Sequence, residues 1–167
     1  IEIKRLAKYY AAEVLQIQPV GPYILGGNCQ AAKIAFEIAL ELQEQGQEIG
    51  LLCLQEQVVP IGYSGRIALF FGNESDLNPG RYFKDPADSW LSFYTGSVSL
   101  NALTGKHGEF FRDSNIQSLT EPLLAEIKTL AVSSDLETKP VIPILRPSLP
   151  EVGQQAEILA PEHILVN

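Results

Sequence analysis

A thiol, an imidazole and several carboxylates occupy positions from which they could act together. Cys29 lies in Gly27-Asn28-Cys29-Gln30-Ala31, between a short apolar run and a helical pattern. A nucleophile on such a strand-to-helix turn needs small residues on both sides, because the turn is tight and the two elements approach closely. Gly27 meets that need, and Ala31 stands where a second glycine is usual. The N-terminal dipole of the following helix favours a thiolate, the reactive form of cysteine. A thiol nucleophile is helped by a base. Of the two histidines, His163 lies in a Pro-rich tail and reads as a surface residue, whereas His107 sits between Gly105 and Gly108 in a loop after the last expected strand. A carboxylate orients such an imidazole. Glu56 follows the strand after the nucleophile helix, Asp76 follows the next strand, and Glu74 is a weaker third choice. All three lie beyond the carboxyl end of a strand, where the sites of parallel sheets collect. The choice between Glu56 and Asp76 stays open. Cys53, in the middle of the apolar run 51–54, reads as a buried structural thiol. The two cysteines lack metal-ligand spacing and no His/Cys cluster exists, so no metal is expected. Residues 26–32 lack the Lys-Ser/Thr ending of a phosphate loop, which disfavours a nucleotide cofactor.

The elements around these residues follow from periodicity. Ile3, Leu6, Tyr10, Ala11, Val14, Leu15 and Ile17 recur three or four apart and predict an amphipathic helix, ended by Pro19, Gly21 and Pro22. Residues 23–25 form a short buried strand closed by Gly26 and Gly27, and residues 30–45 a helix with Ile34, Ala35, Ile38 and Leu42 on one face. Gly46 is suited to its C-terminal cap. A second buried strand spans 49–54, which completes a βαβ unit and implies a parallel sheet. Further strands are predicted over 66–71 and 98–103, a helix over 88–94, and a closing helix over 116–130 capped by Ser114 or Asn115. The texture changes near residue 132: the remainder holds Pro140, Pro143, Pro147, Pro150 and Pro161 and reads as an extended arm or linker. The expected division is therefore 1–132 and 133–167.

Composition narrows the classes. The chain has 167 residues, with 12 Lys and Arg against 20 Asp and Glu, a net charge of −8. That is one domain, or one domain with a tail. The acidic balance argues against a general nucleic-acid binder. No apolar run reaches the ~18 residues of a membrane-spanning helix. Two cysteines are too few for a disulfide scaffold, so a reduced, cytoplasmic setting is expected. The chain opens at Ile1, without Met, directly into a helical pattern, and is expected to be part of a longer polypeptide.

The run from Ala7 to Leu54 resembles the centre of a thioesterase domain of the kind that ends polyketide synthases and nonribosomal peptide synthetases. The matching features are A-x-x-Y at Ala7 to Tyr10, Q-P-x-G-P-Y-x-L-G-G at Gln18 to Gly27, the nucleophile elbow at Cys29, A-F-E at Ala35 to Glu37 and Q-G at Gln45-Gly46. Residues 63–72 resemble the strand after the family's lid, and 105–111 its histidine loop. The resemblance covers about 1–130. It implies a partial α/β-hydrolase fold, a three-layer α-β-α arrangement with a mostly parallel sheet and without a lid, since little chain lies between Pro60 and Ser64 where the lid would be. It also implies that the N-terminal strands are missing, which leaves one edge of the sheet bare.

The resemblance further implies a thioesterase-like acyl hydrolase or acyl transferase acting on a carrier-bound polyketide, peptide or fatty acyl chain. Cys29 would be the nucleophile, His107 the base and Glu56 the acid, with Asp76 as the alternative. The Gln30 N–H would give half of an oxyanion hole. The substrate would arrive on the phosphopantetheine arm of an acyl carrier protein or peptidyl carrier domain, among other megasynthase domains. The departures are Cys for Ser at position 29, Ala for Gly at 31 and Glu for Asp at 56. A different class of protein fits the missing lid and strands: a non-catalytic thioesterase-like domain that binds a carrier arm or organises a megasynthase.

Overall fold

The structure, a computed structural model, describes residues 2–58, 63–82 and 94–133, all within one compact unit, Ile1–Leu136. Most of the helix expected over 88–94 lies outside the described residues. So do residues 60–62 of the expected lid position and the tail from 134, with His163. Helix α1 spans Glu2–Ile17, strand β1 Tyr23–Asn28, helix α2 Gln30–Glu44, strand β2 Ile49–Gln55, strand β3 Ile67–Gly72, strand β4 Val98–Leu103 and helix α3 Ile116–Ser133. The last crosses the expected boundary at 132. The strands form one parallel sheet in the order β1-β2-β3-β4.

The sheet separates two apolar layers. Against α2, and α1 beyond it, lie Tyr23, Leu52, Leu54, Leu69 and Phe71, packed with Ala32, Ala35, Phe36, Ala39 and Leu42. On the other face Leu51, Cys53, Ala68, Phe70 and Leu103 meet Phe110 and Leu119, with Ile116, Leu123 and Ile127 of α3. Alternate residues of β2 and β3 thus serve opposite faces, as a pleated strand requires, and both faces are apolar because helices cover both. Each fully buried Leu or Phe contributes on the order of 1.5–3 kcal/mol. α3 is also tied to the sheet through polar groups. Arg66 pairs with Glu126 at 2.7 Å and also donates to Thr129 Oγ1, and Ser99 Oγ donates to Glu126 Oε1.

Three expectations need correction. Gly26 and Gly27 do not close β1: the strand continues to Asn28, because Gly26 and Gly27 pair with Cys53 and Leu54 of β2. On α1 the buried residues are Ala7 and Ala11, with Val14 and Leu15 packed against the core, while Ile3, Leu6, Tyr10 and Ile17 are exposed. Small side chains let α1 approach α2 closely, so the alanines make the contact. On α2 the inward face is Ala32, Ala35, Phe36, Ala39 and Leu42, and Ile34 is only half-buried. At α3 the Asn115 side chain donates to the Glu109 carbonyl, which ties the helix start to the 3-10 turn Glu109–Phe111.

Candidate active site

The carboxyl ends of β1, β2 and β3 gather the chemistry-bearing residues. Cys29 stands between β1 and α2 with φ 53° and ψ −117°, a conformation that costs a non-glycine residue about 1–3 kcal/mol. Its N–H donates to the Gln55 carbonyl at 2.8 Å and its carbonyl accepts from Ala32 N–H, so the turn is held from both sides. A Cβ at Gly27 would overlap the Ala31 carbonyl and the Ala32 nitrogen. Glycine is what lets strand and helix meet at this angle. Cys29 is half-buried. The Gln30 N–H belongs to the first turn of α2, where amides point out of the helix without an intrahelical acceptor.

Glu56 directly follows β2, also at a positive φ of 55°. The residue is 2% exposed. Its N–H donates to the Phe70 carbonyl at 2.8 Å, which fixes the backbone against β3. Oε1 accepts from Gly72 N–H at 2.6 Å, and Oε2 accepts from Ser75 Oγ at 2.5 Å. His107 Nδ1 lies 3.3 Å from Oε2. A buried carboxylate surrounded by donors in this way is fixed in place. With Nδ1–H directed at Glu56, a neutral imidazole keeps Nε2 as its acceptor nitrogen.

His107 is positioned by its loop. Gly105 takes φ 100°, a region that disfavours side chains, and its carbonyl lies so close to Gly72 that a Cβ there would overlap it. Asn73 Oδ1 accepts from Gly105 N–H at 2.9 Å, Asn73 N–H donates to the Leu103 carbonyl, and Glu74 N–H donates to the Gly105 carbonyl. The histidine loop is therefore laced to the loop after β3.

Cys29 and His107 line the same open cleft of about 610 Å³, with Glu74, Ser75, Asp76, Leu77, Arg81 and Lys106. Asp76 is paired with Arg81: Arg81 Nη1 donates to Asp76 Oδ1 at 3.0 Å and to the Glu74 carbonyl at 2.7 Å. Of the two carboxylates left open by the sequence, the geometry joins Glu56 to His107 and Asp76 to Arg81. Cys53 is buried in β2, where desolvation, with the nearby Glu126 carboxylate, pushes its thiol up to about 12. It stays a protonated thiol. Among the described residues no group of three or more His, Cys, Asp or Glu side chains could hold a metal ion, and no helix is long and apolar enough to cross a membrane.

Residues 1–61 match the thioesterase domain family. The chain is 49% identical over 47 residues to a chondramide synthase of Chondromyces crocatus, covering 28% of this chain and 1% of that protein. It is 31% identical over 137 residues to a non-reducing polyketide synthase of Zymoseptoria tritici, covering 79% of this chain and 5% of that protein. In three dimensions it resembles a thioesterase of the prodiginine pathway in Streptomyces coelicolor, with a TM-score of 0.60 at 14% identity over 74% of this chain and 67% of that one. The chain carries a thioesterase domain of the polyketide synthase and nonribosomal peptide synthetase type. Its α-β-α layering is the α/β-hydrolase-like fold of those neighbours. The domain spans only a small part of the length of the synthases it matches.

Sequence reasoning missed Asn73 and Ser75. Both belong to a polar cluster directly after β3, which was the available signal. Which of its side chains turns inward depends on the turn closed by Ser75 N–H to the Gly72 carbonyl.

Proposed function

We propose that this thioesterase domain cleaves acyl thioesters presented on the phosphopantetheine arm of a carrier domain, through Cys29, His107 and Glu56. The observation that carries the reading is the buried Glu56 carboxylate against His107 Nδ1, with the imidazole in one cleft with a cysteine on a positive-φ elbow.

His107 Nε2 takes the Cys29 proton, and the thiolate attacks the thioester carbonyl carbon. The bond from that carbon to the pantetheine sulfur breaks, and the departing thiolate takes the proton from the imidazolium. Glu56 keeps the imidazole oriented and stabilises its charge. The amide of Gln30 donates to the developing oxyanion. In the second half, water or another acceptor gives its proton to Nε2 and attacks the acyl-Cys29 carbonyl, and the Cys29 sulfur leaves and is reprotonated. A thiol exchanges readily with thioesters, so the first half is nearly balanced in energy and an acyl acceptor other than water can compete. The neighbouring megasynthase domains are the source of the carrier.

The test is release of free thiol from a short acyl thioester. Cys29→Ala and His107→Ala are expected to abolish release, and Cys29→Ser to slow it. Unchanged release in Cys29→Ala, or binding of an acylated carrier without any release by the wild type, would overturn the catalytic reading. Full activity of Cys29→Ser would overturn the role given to thiol chemistry.

A further inference from the structure

Glu56 Oε2 has two partners, the Ser75 hydroxyl and His107 Nδ1. Ser75 is 1% exposed, and its hydroxyl proton has a defined direction. Its Oγ accepts from Leu77 N–H at 3.2 Å, and because a carboxylate oxygen only accepts, its proton points to Glu56. The backbone around it is closed by Ser75 N–H to the Gly72 carbonyl and by Asn78 N–H to the Ser75 carbonyl. Asn78 Nδ2 also donates to the Gly72 carbonyl at 3.0 Å. The hydroxyl is therefore held in place before any substrate arrives.

We propose that Ser75 is a positioning residue that shares the Glu56 oxygen with His107 and so sets how strongly the imidazole holds its proton. The inference rests on the Glu56–His107 pairing in the proposed function. A hydroxyl donated to a carboxylate oxygen draws charge from it, leaving less to stabilise an imidazolium on the same atom. Ser75 thus keeps His107 a weaker base, able both to take the Cys29 proton and to give it up. The other charged groups around His107 are Glu74, Asp76 and Arg81 from the loop after β3 and the adjacent Lys106, with the Cys29 thiol in the same cleft. Glu109 is engaged by Lys106 N–H and Arg112. The hydrogen bonds of the Ser75 hydroxyl go to Glu56 and Leu77 and to none of these groups.

The experiment follows the His107 ring resonances against pH by NMR in the full chain, in a His163→Gln background that leaves one imidazole. Ser75→Ala is expected to raise the His107 midpoint by about half a pH unit, a roughly threefold gain in proton affinity. Glu56→Gln is expected to lower it. Ser75→Cys keeps the volume with only a weak donor, and should shift the midpoint upward as well if the alanine variant does not fold. The acid limb of Cys29 alkylation should move in parallel, which a merely structural serine would not cause. If Glu56→Gln lowers the midpoint but neither Ser75 variant raises it, the role of Ser75 is overturned and the pairing stands. If Glu56→Gln leaves the midpoint in place, the pairing itself fails, and the proposal with it.

Discussion

Replacing Glu56 with Gln removes one charge and inserts two donors where the site offers only donors. Gly72 N–H faces Oε1, and Ser75 Oγ and His107 Nδ1 face Oε2. Whichever way the new amide is turned, its NH2 meets a group that also donates. Ser75 can accept the amide only by turning its hydroxyl proton away from position 56, because its one O–H now points there. One buried donor left unpaired costs about 1–3 kcal/mol of stability. The effect on reaction is larger. An imidazolium that loses its carboxylate, and an imidazole that loses its fixed tautomer, should slow acylation by about 10²–10⁴-fold, the upper value being that of the corresponding change in serine proteases. Denaturant unfolding measures the first effect. Single-turnover transfer from a short acyl thioester measures the second. Asp76→Ala is the control: the pair with Arg81 is exposed, so its loss should cost about 0–1 kcal/mol and leave acylation near wild type. Acylation at the wild-type rate in Glu56→Gln, with a large loss in Asp76→Ala, would refute the assignment.

Cys53 should resist iodoacetamide in the native chain, because a thiol at about 12 rather than 9 is roughly 10³-fold less ionised near neutral pH; peptide mapping that finds it alkylated as fast as Cys29 would contradict this. The same shift gives a pH signature. Above about pH 9 the unfolded thiol releases its proton while the folded one keeps it, so Cys53's contribution is present below pH 9 and is lost as the pH rises towards 12, which urea titrations at pH 8 and 10 would register as falling stability. Gly27→Ala should disrupt the elbow, because its Cβ would overlap the Ala31 backbone; a lowered melting temperature together with loss of Cys29 reactivity is the expected result, and a variant with wild-type stability and reactivity would contradict it. Glu126→Ala should destabilise the fold by about 1–3 kcal/mol through loss of the partly buried Arg66 and Ser99 contacts, with Cys29 reactivity retained.

Much of the scaffold was legible because it rests on periodicity and punctuation. The βαβ unit around Gly27 and Cys29 follows from two apolar runs flanking a helical repeat, and strand β4 falls on the predicted residues. Errors arose where tertiary contacts decide. Gly26 and Gly27 look like a strand end, yet hydrogen bonding to β2 carries the strand through them. On α1 the expected Ala11, Val14 and Leu15 do pack inward, but Ile3, Leu6, Tyr10 and Ile17 are exposed, and close approach to α2 favours Ala7 beside Ala11. Within the site, Cys29 and His107 could be singled out from local context, glycine-flanked loops at strand ends. The carboxylate beside His107 could not, because Glu56 and Asp76 occupy equivalent places in the chain. What separates them is three-dimensional: Glu56 takes a left-handed turn under the histidine loop, and Arg81 draws Asp76 aside. Ser75 was invisible for the same reason.

The most direct test of the central claim is the intact mass of the chain after brief mixing with a short acyl thioester, with Cys29→Ala alongside. The account predicts a gain of one acyl group in the wild type, mapped to the peptide containing Cys29 and absent from the variant. No gain in the wild type, together with a Cys29 as slow towards iodoacetamide as Cys53, would contradict it.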